Sequence, residues 1–166
     1  MIVSPQMRIV SQVRLSDGDS AFFAQFDDGG IVPINILEEG PQGWVTFEPE
    51  QPIEANHRFR LSEAAVGEGD EVHFWGQAAI VSENPTLELF ETTVNDLDRK
   101  APDLGQTVWQ LFRHDKLDGS LPILDANGDV LAIGLIGTGD LFLAVRVSQL
   151  KTMFPKSFGS AAPMAE

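Results

Sequence analysis

Three residues of this chain have the types that serine hydrolysis needs: His57, Asp98 (or the neighbouring Asp96) and Ser120, in the order histidine, aspartate, serine. A serine hydroxyl becomes an effective nucleophile only when a histidine takes its proton and a carboxylate sets the tautomer of that histidine. A triad is recognised by geometry rather than by order, so three common residue types carry little weight by themselves. The alternative interpretation makes His57 a loop residue and Ser120 a turn residue.

Histidines that lie near carboxylates suggest a metal site as a second kind of chemistry. The candidate ligands are His73 and His114 with Glu71, Asp115 or Asp118. Zinc needs three or four converging ligands, and no paired-histidine spacing occurs here. Strand alternation would place Glu71, His73 and Trp75 on one side of a strand. We therefore expect a partly exposed strand histidine, no metal and no other cofactor.

The charge balance bears on the partners that the chain can have. Its 166 residues hold 11 basic and 25 acidic residues, a net charge of −14, and the acidic excess lies mostly in residues 1–100. A field of this sign repels phosphate backbones, so we expect no direct nucleic-acid binding. It gives solubility or attracts a protein with a basic surface. The candidate binding residues are Glu48, Glu50 and Glu54, together with Trp75, the tryptophan that we expect to be exposed.

The absence of cysteine and the hydropathy of the chain bear on the cellular compartment of the protein. The chain has no cysteine, which excludes disulfides, thiol catalysis and cysteine-ligated metal. No basic segment followed by an apolar one opens the sequence, and no apolar run reaches the 18 residues that a membrane helix needs. We therefore expect a cytoplasmic protein without a membrane partner.

The elements that must position these residues are short strands arranged around one central hairpin. In Leu117–Gly137, the apolar runs Leu121–Leu124 and Val130–Ile136 flank Asn127-Gly128. That dipeptide predicts a type I′ turn, in which both central residues have positive φ. The second run has the Val, Ile and Leu content of a strand buried on both faces. This hairpin is predicted to lie at the centre of the core.

The rest of the chain also reads as β structure, with one terminal helix. Met7–Leu15 and Ala21–Phe26 are predicted to pair as a hairpin, and Pro33 predicts an edge position for the strand Ile31–Ile36. Glu38–Gly43 reads as a polar loop. Regularly spaced short strands follow, typical of a sandwich or barrel. A helix is predicted over residues 149–154, capped by Ser148 and stopped by Pro155.

Three blocks of the sequence, in order, carry a family resemblance. They are Val13–Gly18 followed by Ala24, Val66–Gly76 (VGEGDEVHFWG) and Leu117–Ile136, and Phe142–Ser148 adds a closing strand. Together they resemble the HtrA-like branch of the trypsin-like serine proteases over most of residues 8–154. The second block is similar to the entry to the family's second barrel, and the third to its nucleophile region.

The resemblance implies a triad that the matched positions do not supply. Counting back from Pro122, the nucleophile position falls on Gly119, with Ser120 one residue late. A slip of one residue on a strand turns a side chain to the opposite face. The carboxylate block matches Gly30–Ile34, which places a glycine at the aspartate position. The histidine block should precede residue 8, and nothing there resembles it.

The resemblance implies an all-β, chymotrypsin-like double β-barrel with a shortened first barrel and a short C-terminal helix. The predicted domains are residues 1–65, 66–156 and a tail over 157–166. The predicted function is that of a catalytically inactive, protein-binding or regulatory domain. Its alternatives are a hydrolase with a displaced Ser120 and an acidic protein that occupies a partner's basic groove. The open edge of a shortened barrel would be covered by a second copy or by another protein.

Overall fold

Strands separated by turn residues dominate the computed structural model, which describes residues 2–3, 8–12, 21–25, 30–52, 59–77, 87–101, 106–112, 114, 121–135 and 141–158. The strands are β1 (Ile2–Val3), β2 (Arg8–Gln12), β3 (Phe22–Gln25), β4 (Ile31–Glu39), β5 (Trp44–Pro49), β6 (Glu71–Gln77), β7 (Leu87–Ala101), β8 (Gln106–Phe112), β9 (Pro122–Leu124), β10 (Val130–Leu135) and β11 (Leu141–Arg146). A 3-10 turn spans Pro41–Gly43, and the helices are α1 (Val147–Met153) and α2 (Pro155–Phe158). None of these described helices is long and apolar enough to cross a membrane.

The chain divides into two compact units: unit 1 comprises Met1–Arg58 and Gln149–Glu166, and unit 2 comprises Phe59–Ser148. The predicted boundary at residue 66 lies a few residues later than this division. Residues 60–62 go with unit 2 because they pair with β10: the N–H of Val130 donates to the Arg60 carbonyl at 2.7 Å, and the N–H of Ser62 donates to the Val130 carbonyl at 2.8 Å. Most of the C-terminal helical segment, predicted to belong with the second barrel, is grouped with unit 1.

Unit 1 contains an antiparallel sheet whose described strands follow the order β1-β2-β5-β4-β3. Its core consists of the buried side chains Ile9, Ile34, Val45 and Phe47, with Phe22 and Ala24 packed against them. Strand alternation sends these residues to one face of the sheet, and Trp44 and Thr46 of β5 are buried as well. The central strand of this sheet is therefore covered on both faces.

The strand pairing of unit 1 corrects two predictions. β2 does not form a hairpin with β3: it pairs with β5 (Ile9 opposite Phe47), whereas β3 pairs with β4. Pro33 does not mark an edge, since β4 lies between β3 and β5. β5 ends at Pro49, and the Pro33 carbonyl accepts the N–H of Glu50 just beyond that end, at 3.0 Å. Pro33 therefore lies opposite Glu50, so the ladder hydrogen bond that its missing N–H cannot make falls at the end of the β4–β5 ladder and not within it.

Unit 2 contains a closed barrel with the strand order β10-β11-β8-β7-β6-β9. Every residue of β10 is buried, which confirms the prediction of a strand covered on both faces. The interior is filled by large apolar side chains from all six strands, among them Val72, Phe74, Val94, Trp109, Leu111, Ile123, Leu131 and Phe142. The hairpin of β9 and β10 therefore lies in this core, as its sequence predicts.

The turn of that hairpin differs from the predicted type I′ turn. The Gly128 N–H donates to the Asp125 carbonyl at 2.9 Å, so the central residues are Ala126 and Asn127. Gly128 follows them with φ of 82°, the left-handed conformation that glycine adopts without strain. The Asp125 carboxylate stabilises this turn by accepting the N–H groups of Asn127 and Asp129 at 2.8 and 3.0 Å.

The C-terminal segment also departs from its prediction. α1 begins at Val147, so Ser148 lies inside its first turn rather than at its cap. Pro155 ends α1 and at the same time begins α2. A proline suits the first position of a helix because its missing N–H would have had no partner within the helix.

Candidate functional site

The predicted triad residues lie only partly within the described chain. His57 and Ser120 are outside the described residues. Asp98 lies on β7 with an exposed carboxylate, whose Oδ1 atom is 3.7 Å from Nη2 of Arg146. The alternative, Asp96, uses its Oδ1 to accept the backbone N–H of Asp98 at 2.8 Å. Both carboxylates thus interact with groups of their own barrel.

The structure includes Gly30, the residue at the position where the family motif has the triad carboxylate. Gly30 is exposed and immediately precedes β4. A glycine there offers no group that could orient an imidazole. Gly119, at the matched nucleophile position, lies outside the described residues.

The three acidic residues predicted to bind a partner have different environments. Oε2 of Glu48 lies 2.6 Å from Nη1 of Arg8, so this half-buried carboxylate is already paired inside the sheet. Glu54 is outside the described residues. Glu50 is exposed and has no cationic partner among the described residues. Of these three residues, Glu50 is therefore the one that the structure shows to be available for an external contact.

Glu50 lines a groove formed by β3, β4 and the residue that follows β5. The groove has a volume of about 360 Å³, and its lining residues are Ala21, Phe22, Phe23, Pro33, Ile34, Asn35, Ile36 and Glu50. Phe23 is 60% exposed, although a phenylalanine in a folded domain is usually covered. We call this feature the β3–β4 groove. It combines apolar walls with a single charged residue.

The exposure expected for Trp75 is confirmed. Its side chain is 39% exposed, whereas Trp44 and Trp109 are 0% and 5% exposed. Trp75 lies directly opposite Leu89 of β7, which is 52% exposed, so two large apolar side chains share the outer face of these strands.

A histidine and two glutamates come together on that same outer face. His73 of β6 lies opposite Glu91 of β7, and Glu71 is two residues earlier on β6. The possible ligand atoms of the three side chains all lie within 4.8 Å of one another. His73 is partly exposed, as predicted, but its neighbour Glu91 was missed, because only the strand register reveals it.

The second described histidine belongs to a different environment. The His114 ring lies 5.5 Å from that of Phe74 and 5.0 Å from that of Phe90. Phe74 alternates with His73 along β6 and therefore faces the other side of the strand. The structure thus separates the two histidines that the sequence offered as joint metal ligands.

Comparison with solved structures identifies the architecture. The MamO protease domain from Magnetospirillum magneticum, apo form, matches with a TM-score of 0.64 and 14% identity over 91% of this chain and 84% of that chain. An inactive form of Rv3671c from M. tuberculosis H37Rv matches with a TM-score of 0.66 and 13% identity over 97% and 82%. The fold is that of the trypsin-like serine proteases.

Other comparisons agree with this trypsin-like fold. The HtrA-type protease AlgW with a bound decapeptide matches with a TM-score of 0.66 and 13% identity, and the aligned part covers 92% of this chain and 49% of AlgW. No family model matches the sequence, and no curated protein matches it. The predicted all-β, chymotrypsin-like fold class is confirmed. Among the described residues, the candidate functional sites are the β3–β4 groove and the Glu71–His73–Glu91 cluster.

Proposed function

We propose that this trypsin-like domain is not a protease and that it binds another protein through the β3–β4 groove. Peptide-bond hydrolysis needs nucleophile, base and carboxylate together. Two of those positions are matched by Gly30 and Gly119, and neither glycine offers a functional side chain. The groove is the observation that supports binding. Its apolar walls are exposed to water, which is unfavourable, and exposed apolar surface of this kind marks interaction sites.

The chemistry of the groove favours an extended, basic segment of the partner. Among the described strands β3 has β4 as its only neighbour, so its outer edge suits the addition of a strand. Apolar side chains of such a segment would pack on Phe23 and Pro33. Glu50 lies beyond β4 from this edge, so its carboxylate would attract a lysine or arginine side chain that extends across the groove, and the net charge of −14 would speed the encounter.

The proposal is tested with fluorescence anisotropy on labelled decapeptides that alternate valine and lysine. The matched peptide replaces each lysine by glutamate. We expect the basic peptide to bind and the acidic one not to bind. The variant Glu50→Lys should weaken binding by at least about tenfold, because it replaces an attraction by a repulsion. Glu39→Lys is the control: Glu39 is an exposed residue of the same sheet and does not line the groove.

Three outcomes would overturn the proposal. Equal weakening by both variants would mean that the peptide responds to net charge rather than to the groove. Equal binding of the two peptides would exclude charge recognition. A fluorophosphonate probe provides the third test: covalent labelling of Ser120, located by peptide mass spectrometry, would establish an active serine hydrolase instead.

A further inference from the structure

The Glu71–His73–Glu91 cluster is held by two strands of a closed barrel. β6 pairs with β7 over seven consecutive residue pairs from Glu71 to Gln77, and on its other side His73 lies opposite Leu124 of β9. The backbone positions of all three residues are thus set by hydrogen-bonded ladders. The imidazole lies near two glutamates whose side chains are exposed.

We propose that Glu71, His73 and Glu91 bind a divalent transition-metal ion of the Zn²⁺ class. One imidazole nitrogen and two carboxylate oxygens form a donor set that suits borderline ions, whereas Mg²⁺ and Ca²⁺ prefer oxygen alone. Three protein ligands leave one position of a tetrahedral site for water or for a group of a partner. This site belongs to unit 2 and does not depend on the proposed groove in unit 1.

The distances allow coordination after a small side-chain movement. Metal–ligand bonds of about 2.0–2.2 Å place tetrahedral donors roughly 3.3–3.6 Å apart. The donor atoms lie within 4.8 Å of one another, so the glutamates need to close by at most about 1.5 Å. Both glutamates are exposed, and a change of rotamer is enough for that movement.

A second observation concerns the same histidine. Nδ1 of His73 is buried and has no hydrogen-bond partner among the described residues. A buried polar atom without a partner is unfavourable and uncommon. In addition, neither Glu71 nor Glu91 has a cationic partner within the described part of the chain. The proposal assigns Nδ1 to the metal, and a cation there supplies what the nitrogen and both carboxylates lack.

The test is isothermal titration calorimetry of the full chain with ZnCl₂, in a buffer that contains excess Mg²⁺ to saturate isolated surface carboxylates. We expect one Zn²⁺ per chain. His73→Ala should weaken this binding by at least about tenfold, since even the loss of an outer-shell partner costs about 10–100-fold in metal affinity. Glu91→Gln should weaken it less, because an amide oxygen remains. The matched control is Glu88→Gln, an exposed glutamate on the same strand as Glu91.

A spectroscopic readout identifies the ligand directly. In a ¹⁵N–¹H spectrum of the imidazoles, Zn²⁺ should shift the resonances of His73 and leave those of His57 and His114 in place. The proposal is wrong if no stoichiometric binding occurs, or if His73→Ala binds as the parent chain does. Should His73→Ala fail to fold by circular dichroism, His73→Asn replaces it. In either case, shifts confined to the other histidines overturn the assignment.

Discussion

At the scale of single residues, the Glu38 carboxylate connects two segments of unit 1. It accepts the backbone N–H of Lys156 at 3.1 Å, and the N–H and hydroxyl of Ser157 at 2.7 and 2.6 Å. The buried Ser157 hydroxyl also lies 2.6 Å from that of Thr46. Burial of the carboxylate would raise the pKa of Glu38, but the hydrogen bonds from Ser157 and Lys156 outweigh burial and lower it.

We expect Glu38→Gln to lower the free energy of unfolding by about 1–2 kcal/mol at neutral pH, because it removes charge-assisted hydrogen bonds. The pKa of Glu38 is lowered on folding from an ordinary value of 4.5. The carboxylate therefore stabilises the fold fully above that value, and its contribution disappears as the pH falls through the lower folded-state pKa. Urea unfolding of both proteins across this acidic range measures the difference.

The control for this prediction is Glu39→Gln, the exposed neighbour in the same strand. We expect it to change stability by less than about 0.5 kcal/mol. If the difference between the parent chain and Glu38→Gln stays constant on acidification, the effect comes from packing and not from the charge.

At the scale of elements, the connection between β4 and β5 is packed against the end of α1. A Cβ atom on Gly40 would lie 2.7 Å from Cζ and 2.8 Å from Cε1 of Phe154, closer than such atoms approach. The Phe154 ring is fully buried, so it has little room to move away. Gly40 has φ of −112°, which any residue adopts. Glycine is therefore needed here because a side chain would not fit, and not because of the backbone conformation.

Gly40→Ala should therefore destabilise the protein by about 1–3 kcal/mol through overpacking. Chemical denaturation measures the change. Gly67→Ala is the comparison, because a Cβ there meets its nearest atom, in Asp70, at an ordinary 3.5 Å.

A second variant isolates the cause. If overpacking is responsible, Phe154→Leu should reduce the cost of Gly40→Ala, since the shorter side chain leaves space for the new methyl group. The explanation is contradicted if Gly40→Ala costs the same in the parent chain and in the Phe154→Leu variant.

At the scale of the whole molecule, unbalanced charge opposes folding. Residues 1–100 carry 6 basic and 18 acidic residues, a net charge of −12. Arg8–Glu48 and Arg146–Asp98 form ion pairs, but the other acidic residues of the chain still outnumber the other basic ones. Like charges brought together in the compact state repel one another, and dissolved ions screen that repulsion.

We expect added sodium chloride to raise the melting temperature by about 2–4 °C, which corresponds to about 1 kcal/mol for a chain of this size. Differential scanning calorimetry at neutral pH measures the shift, with sucrose of equal osmolality as the control for solvent exclusion. A melting temperature that falls with salt would mean that attractive ion pairs outweigh the repulsion.

The sequence by itself determined the class of architecture and the facing of many side chains. Alternation predicted the outward position of Trp75 and the partial exposure of His73, and the apolar run of β10 predicted its burial on both faces. These properties are local: a period of two residues assigns each side chain to one face of a strand wherever that strand pairs.

Tertiary structure alone decided which strands are neighbours and in what register. It paired β2 with β5 instead of β3, placed Pro33 in an interior strand, and brought Glu91 opposite His73. The physical reason is that pairing is a competition among distant segments, settled by core packing and loop closure rather than by the residues of one strand. A site built from two strands, such as Glu71–His73–Glu91, exists only once that competition is settled.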